Sequence, residues 1–248
     1  MSAKTVEKKY KNTLNKGDTG LELSGLQWLL DHHKAKEKYR RKMIEDLNLQ
    51  AGDVVLDLGS GPGLWSDLFA EKVAPNGRVV GLDLSAELID YAKSKLSKSP
   101  YQEMIEYQQG DFFHLPYEDE TFDVVFCGNS LSYVNSDSRQ YLLTEQKRVV
   151  KKGGRLVAKE FDDATTLVYP VPPELWLKVL ACSAQVQKEK PSEECFDNFV
   201  GRQVRGILID VGLKNLSTIP YTIPILPPLS PEAKRYVTEA ISWQINTA

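Results

Sequence analysis

The chain has 248 residues, 42% of them hydrophobic, which predicts one large domain or one domain with an appendage. Its 31 Lys and Arg against 34 Asp and Glu give a formal net charge of −3, without the basic stripe typical of nucleic-acid-binding proteins. No apolar run is long enough to span a membrane, and the N-terminus lacks the apolar core of a secretory signal. The three cysteines lack metal-ligand spacing, which favours reduced thiols in a cytoplasmic protein.

Strands and helices alternate along the first two thirds of the chain. Residues 1–19 are polar, so we predict a mobile segment there. A helix of about 24–47 follows, and then come strands at 53–59, 78–84, 104–111, 122–129 and 155–161, with helices at 63–72, 86–97 and 137–150 between them. Apolar strands that alternate with helices predict an α/β fold, a Rossmann-like, doubly wound and mostly parallel sheet with helices on both faces.

The alternation breaks after Asp162. Helices are predicted at 170–190, 196–212 and 230–244, with a sixth strand at 213–223 that Pro220 weakens. We expect 163–195 to be an insertion over the carboxyl edge of the sheet. Residues 20–248 are therefore predicted to form a single domain, whose active site is covered by this insertion and the first helix.

Three glycines follow the first strand, where open α/β sheets bind their ligands. Gly59, Gly61 and Gly63 allow a ligand to approach the backbone without a Cβ clash. A nicotinamide site would need a glycine at the position of Leu64. Asp57, two residues before the loop, would repel a pyrophosphate but would suit a cationic amino acid.

Two further acids end neighbouring strands. Asp83 ends the second strand and can accept hydrogen bonds from two ribose hydroxyls, a feature that both cofactor classes share. Asp111 ends the third strand, where it could accept from the exocyclic amine of an adenine, with Phe112 packed on the ring.

This ordered set, with "GSGPG", "VGLDLS", "GDFFHLPY" and "DETFDVVFCGNSLSYV", resembles the class I S-adenosylmethionine-dependent methyltransferases over residues 40–165. Within them it is similar to the small-molecule group of quinone- and sterol-type (methyltransferase type 11-like) enzymes. The resemblance implies that the glycine loop meets the methionyl group, Asp83 the ribose and Asp111 the adenine, with Asn129 near the transferable methyl. The implied cofactor-binding residues are Asp57, Gly59, Ser60, Gly61, Gly63, Asp83, Leu84, Gly110, Asp111, Phe112, Asn129 and Ser130.

Three departures from family patterns narrow the expectation. "NSLSY" replaces the N-P-P-Y type motif of relatives that methylate nucleic-acid bases, so we expect no nucleic-acid partner. The acids nearest to the site, Asp137, Asp162 and Asp163, are more typical of solvated loops than of metal ligands, so no metal is expected. The family's antiparallel seventh strand has no convincing candidate between Pro224 and Ala248, so either the chain is a fragment or its sheet is incomplete at that edge.

We therefore expect methyl transfer from S-adenosylmethionine to an N, O or C atom of a small, partly apolar metabolite, chiefly by alignment. Tyr133 and His33 are the candidate catalytic residues. Two alternatives stay open, a non-catalytic S-adenosylmethionine-binding module and a nicotinamide-dependent oxidoreductase. The oligomeric state stays open too. Six side chains are expected to roof the pocket: Trp28, Leu29, Phe161, Leu167, Tyr169 and Trp176.

Overall fold

A five-stranded parallel sheet carries the fold in a computed structural model, which describes residues 16–190 and 196–247. The strands run in the order β3-β2-β1-β4-β5, so the chain reverses direction across the sheet between β1 and β4. This confirms the predicted Rossmann-like, doubly wound α/β fold. The strands are β1 Val54–Leu58, β2 Arg78–Asp83, β3 Ile105–Gln109, β4 Phe122–Gly128 and β5 Val150–Lys159.

Helices cover both faces of this sheet because its strands carry apolar residues on both sides. The core on one face contains Val55 and Phe126, with residues of α1, α2 and α3. The core on the other face contains Leu56 and Cys127, with residues of α4 and α6. The helices are α1 Leu26–Asp46, α2 Ser66–Val73, α3 Ala86–Leu96, α4 Ser136–Val149, α5 Pro173–Glu189, α6 Val204–Asp210 and α7 Pro231–Asn246.

The start of β5 differs from the prediction. The fifth strand was predicted at 155–161, but α4 ends at Val149 and β5 begins immediately at Val150, so that Gly153 and Gly154 belong to the strand. The glycines lie inside the strand, where the register with β4 shifts between Phe122 and Val124. The φ angle of Gly153 is +80°, so the extra residues loop out at a bulge that favours glycine.

The predicted sixth strand is wrong. Residues 213–223 form no strand, although Tyr221 and Ile223 pack against the core that α1 and α2 share. Pro220 and Pro224 have no N–H to donate to a sheet ladder, which is consistent with this irregular path. The predicted helix 196–212 is also interrupted, since it contains a short 3₁₀ turn at Val200–Arg202 before α6.

Helices α1, α5 and α7 pack together, and we call these three helices the cap. The buried Asp31 on α1 accepts hydrogen bonds of 2.6 and 2.8 Å from the guanidinium of Arg235 on α7. The Trp28 ring lies 4.9 Å from the Tyr236 ring, centroid to centroid, which joins the same two helices. Sequence analysis had assigned no role to α7. No helix in the described residues is long and apolar enough to cross a membrane.

Candidate functional site

The loop between β1 and α2 has a backbone that only glycine adopts readily. Gly59, Gly61 and Gly63 have φ angles of +67°, +55° and +75°. A Cβ on Gly59 would clash with the Ser130 hydroxyl, whereas a Cβ on Gly61 would have only Leu29 nearby, at 3.7 Å. Gly61 is thus the glycine of this loop where a Cβ would meet no clash, although the residue itself is buried beneath its surroundings.

Asp83 fastens this loop to the end of β2. One carboxylate oxygen accepts from the Gly61 N–H at 2.7 Å and the other from the Ser85 N–H at 2.8 Å. Burial raises the pKa of this carboxyl group. Each oxygen retains a second lone pair for a ligand hydroxyl. Ser85 itself caps α3 by accepting from the Leu88 N–H.

Asp57 lies beneath the loop and is 1% exposed. Burial and, to a lesser extent, the charge of nearby Asp83 raise its pKa to about 8, although Arg40 opposes both effects. Asp57 Oδ2 and the buried Ser60 hydroxyl have no hydrogen-bond partner among the described residues. Buried polar atoms are normally hydrogen-bonded, so these two indicate a site for a polar ligand.

The end of β3 adds three further predicted residues. The Gly110 N–H donates to the Asp83 carbonyl at 2.9 Å and holds β3 beside β2. The exposed Asp111 carboxylate accepts from the Phe113 N–H at 2.9 Å, and the Phe112 ring packs 5.4 Å from that of Phe113. Leu84 precedes them in the chain and is largely exposed.

Asn129 and Ser130 follow β4, on the opposite side of β1. Asn129 has a φ of +57° and its N–H donates to the Lys159 carbonyl. Its side-chain Oδ1 accepts from Lys159 Nζ at 2.5 Å. Ser130 is buried against Gly59, so both predicted residues lie at the reversal point of the sheet.

A cavity beneath α1 contains residues that sequence analysis missed. His32, Lys36 and Arg40 line it from α1, and Lys159 lines it from the end of β5. The Arg40 guanidinium lies 4.6 Å from the centre of the Trp65 ring, just after the glycine loop. The four-residue spacing of the three α1 side chains, which places them on one helix face, was the available signal.

Sequence comparisons agree with this geometry. Residues 55–154 match a family model described as "Methyltransferase domain". A demethylmenaquinone methyltransferase of Bacillus cytotoxicus is 30% identical over 200 residues, covering 78% of this chain and 82% of the relative. The chain belongs to the class I S-adenosylmethionine-dependent methyltransferases.

Two further likenesses accompany that family assignment. A demethylmenaquinone methyltransferase of Symbiobacterium thermophilum is 36% identical over 124 residues, which cover 50% of this chain and 49% of the relative. The chain thus spans about half the length of several curated relatives it matches. The YcgJ protein of Bacillus subtilis shares the fold at a TM-score of 0.59 and 20% identity, covering 85% of this chain and 83% of that one. The predicted family, and its cofactor S-adenosylmethionine, are confirmed.

The two predicted catalytic residues have different surroundings in this methyltransferase fold. The Tyr133 hydroxyl donates to the Glu22 carbonyl at 2.7 Å, and burial raises its pKa. His33 is partly buried, and burial lowers its pKa to about 4. Its neighbour His32, rather than His33, lines the cavity. A catalytic role for Tyr133 or His33 stays a prediction.

Glu160, which follows β5, is a buried acid near the methyltransferase motifs. One oxygen accepts from the Leu131 N–H at 2.8 Å, and the other has no partner among the described residues. Burial raises the pKa of this carboxyl group to about 7, although Lys159 lowers it. The neighbouring Lys159 does not form an ion pair with Glu160 but donates to Asn129.

The prediction that six side chains roof the pocket is wrong for two of them. Leu167 and Tyr169 are 94% and 97% exposed, so neither side chain covers a pocket. Trp176 is buried, donating its indole N–H to the Thr166 carbonyl, and Phe161 lies near Phe196. Residues 191–195 of the predicted insertion, with Cys195, lie outside the described residues.

The acids considered as metal ligands have protein partners. Asp162 accepts from the Arg202 guanidinium at 2.7 and 2.8 Å. Asp163 accepts from the Asn198 amide at 2.7 Å. The described part of the chain contains no group of three His, Cys, Asp or Glu side chains suited to a metal ion.

Proposed function

We propose that this chain transfers a methyl group from S-adenosylmethionine to a small, partly apolar molecule. The observation that carries the proposal is that Asp57, Asp83 and the glycine loop at Gly61 lie together at the sheet's reversal point, where one oxygen of Asp57 has no hydrogen-bond partner among the described residues. Family membership supports it, and so do the demethylmenaquinone methyltransferases among the relatives. A quinone-like acceptor is one member of the small-molecule class that we propose.

Opposite charges beneath the loop suit the methionyl part of the cofactor. That group is a zwitterion, and Asp57 and Arg40 are an acid and a base in electrostatic contact. We assign the α-ammonium group to Asp57 and the carboxylate to Arg40. Asp83 would hold the ribose, with Asp111 and Phe112 at the adenine. The remaining predicted residues, Gly59, Ser60, Gly63, Leu84, Gly110, Asn129 and Ser130, would complete the cofactor site.

The bound sulfonium supplies an activated methyl group with a neutral leaving group. The residues around it therefore mainly align the acceptor and exclude water, and alignment can contribute about 7–11 kcal/mol to lowering the barrier. If the acceptor must lose a proton, Glu160 is a further candidate base. Its pKa of about 7 suits proton transfer near neutral pH.

The wider setting of the enzyme is also proposed. Residues 20–248 would act as one domain with helix 24–47 and the insertion 163–195 over the site, although Asp18 also contacts α3 through the Glu87 N–H at 3.1 Å. Cys127 and Cys182 are free thiols, which supports a cytoplasmic protein. The net charge of −3 supports a small-molecule partner over nucleic acid.

Calorimetry with S-adenosylhomocysteine and NAD separates two of the functions. We expect the first to bind with micromolar or tighter affinity and NAD not to bind, and the opposite result would establish the oxidoreductase alternative. Isotope-labelled S-adenosylmethionine incubated with a metabolite extract then separates catalysis from binding alone. A labelled product, seen by mass spectrometry and absent with a Gly61→Val control, is expected; cofactor binding without any product would favour the non-catalytic module.

A further inference from the structure

His32 contacts two cationic side chains at once. Lys36 Nζ lies 3.0 Å from His32 Nε2, and Arg40 Nη2 lies 3.1 Å from His32 Nδ1. A neutral imidazole has one acceptor nitrogen and one N–H donor, and an imidazolium has two donors. Two protonated donors therefore cannot both be satisfied by this ring, and the arrangement lacks an acceptor.

The same cavity holds a third cation, Lys159, which enters from the end of β5. Lys36 and Arg40 repel it, and Glu160 attracts it. Burial and, to a lesser extent, repulsion between the cations lower the pKa of both lysines to about 7. No carboxylate of the described residues lies within ion-pairing distance of these three cations.

The acids that face this cluster attract its cations without forming an ion pair: Asp163 attracts Lys36, Glu160 attracts Lys159 and Asp57 attracts Arg40. Asp163 bonds to the Asn198 amide and Glu160 to the Leu131 N–H. Asp57 faces Arg40 and is assigned to the cofactor's ammonium group. A buried cation cluster of this kind is expensive without an anion, because desolvation is not offset by pairing.

We propose that the acceptor carries an oxyanion group, a carboxylate or a phosphate, which Lys36 and Lys159 bind together. The inference rests on the proposed function, in which Arg40 holds the cofactor's own carboxylate and these two lysines, which bond only to neutral groups, bind the anion of the acceptor. The bond of Lys159 to Asn129 places the anion near the expected position of the methyl group.

The walls beside this position are aromatic. The Tyr236 ring lies 4.7 Å from Lys36 Nζ, and it packs against Trp28 and His32. Tyr39 and Ile223 line the same cavity. This cavity has a volume of only about 10 Å³, so only the anionic group of the acceptor would reach the cations, and an apolar or aromatic body would lie against the rings beside them.

Anion binding to the full chain tests this proposal. Sodium phosphate, benzoate and the neutral analogue benzamide are titrated calorimetrically at fixed ionic strength, with and without saturating S-adenosylhomocysteine. We expect phosphate or benzoate to bind and benzamide not to bind, and the stronger of the two anions identifies the oxyanion. Lys36→Met and Lys159→Met should each weaken that binding at least about tenfold, the usual cost of losing a bond between charged groups. Lys38→Met, on the exposed side of α1, is the matched control and should have no effect.

Equal binding of benzoate and benzamide, no anion binding by the wild type, or equal losses in Lys38→Met would overturn the proposal. Both lysine variants remove a buried charge that has no ion-pair partner among the described residues, and this removal should not destabilise the fold. Thermal melts should therefore show that both variants are folded. Failure of S-adenosylhomocysteine to bind, with anion binding that still depends on Lys36 and Lys159, would sink the methyltransferase function and leave the anion site in place.

Discussion

The carboxyl edge of the sheet and the cap contribute opposite chemistry to one site. The edge supplies acids and bare backbone, with Asp57, Asp83 and Gly61 close together. The cap supplies cations and aromatic rings, with Lys36 and Tyr236 on two different helices. The edge is thus suited to a cofactor with a positive charge, and the cap to an acceptor with a negative one.

Burial shifts the ionisation of both regions towards neutrality. It raises the pKa of Asp57 to about 8 and lowers that of Lys36 to about 7. Arg40 lies between the regions and faces Asp57. A site prepared in this way gains favourable electrostatic interactions when a ligand brings the missing charges, because buried charges are stable only when they are paired.

Gly61→Val should disable the edge completely. The valine side chain would extend from the loop towards Leu29, into the space assigned to the cofactor. The backbone φ of +55° at this position is also unfavourable for a β-branched residue. We expect no S-adenosylhomocysteine binding by calorimetry in a protein that still melts cooperatively. Gly206→Val, on α6 in open space, is the control and should bind normally. Normal affinity in the Gly61 variant would place the cofactor elsewhere.

Asp83→Ala should weaken cofactor binding by about ten- to a hundredfold, since hydrogen bonds to a carboxylate contribute roughly 1.5–3 kcal/mol. The variant also loses the bonds from Gly61 and Ser85, so affinity alone does not identify the ribose contact. The 2′-deoxy cofactor isolates it: the wild type should discriminate against this analogue and Asp83→Ala should discriminate much less. Asp90→Ala, an exposed acid on α3, should behave as wild type; equal penalties in all three proteins would make Asp83 purely structural.

Asp57→Asn should raise the stability of the fold and lower its affinity for the cofactor. The folded-state pKa of about 8 lies above the ordinary 3.8, so the stabilisation linked to the protonated acid is complete below pH 4 and is lost as the pH rises through 8. The variant should therefore melt progressively higher than wild type between pH 4 and 8.5, while its cofactor affinity falls about tenfold. Parallel melting curves across this range would contradict the burial of an uncompensated charge.

Lys36→Met should show the opposite pH dependence in the cap. The pKa of about 7 lies below the ordinary 10.5, so the wild type loses stability as the pH falls from 10.5 through 7. Arg40 and Lys159 favour this loss, and Asp163 opposes it. The melting temperature of the variant should exceed that of wild type most at pH 6–7 and approach it at pH 10. An advantage that is constant with pH would show that Lys36 acts through packing alone.

Tyr133→Phe should change stability least of these variants if the only role of the hydroxyl is to hydrogen-bond the segment that precedes α1. Loss of its bonds to the Glu22 and Leu23 carbonyls should cost about 1 kcal/mol, or roughly 2–4 °C in melting temperature. Tyr141→Phe, at an exposed position, provides the baseline. If the methyl-transfer rate fell more than tenfold while stability fell by only this amount, the result would support the predicted catalytic role.

The sequence by itself determined the parallel sheet and the edge at which the predicted cofactor-binding residues meet. Asp57, Asp83 and Asp111 each lie at or near a strand end, and parallel strands bring those ends to one edge whatever the loops between them do. The glycine spacing indicated the conformation of the loop before the structure showed its positive φ angles. These features are local, because each depends on residues within one strand and the turn that follows it.

Only the tertiary structure decided how the cap packs and which cations lie beneath it. Lys36 and Lys159 are separated by more than a hundred residues, and the contacts of Arg235 and Tyr236 with α1 depend on how α7 packs. The exposure of Leu167 and Tyr169 and the irregular path of 213–223 are likewise set by packing. Periodicity indicates which residues share a face of a helix, but the partner of that face is chosen by long-range burial and charge, which no local pattern encodes.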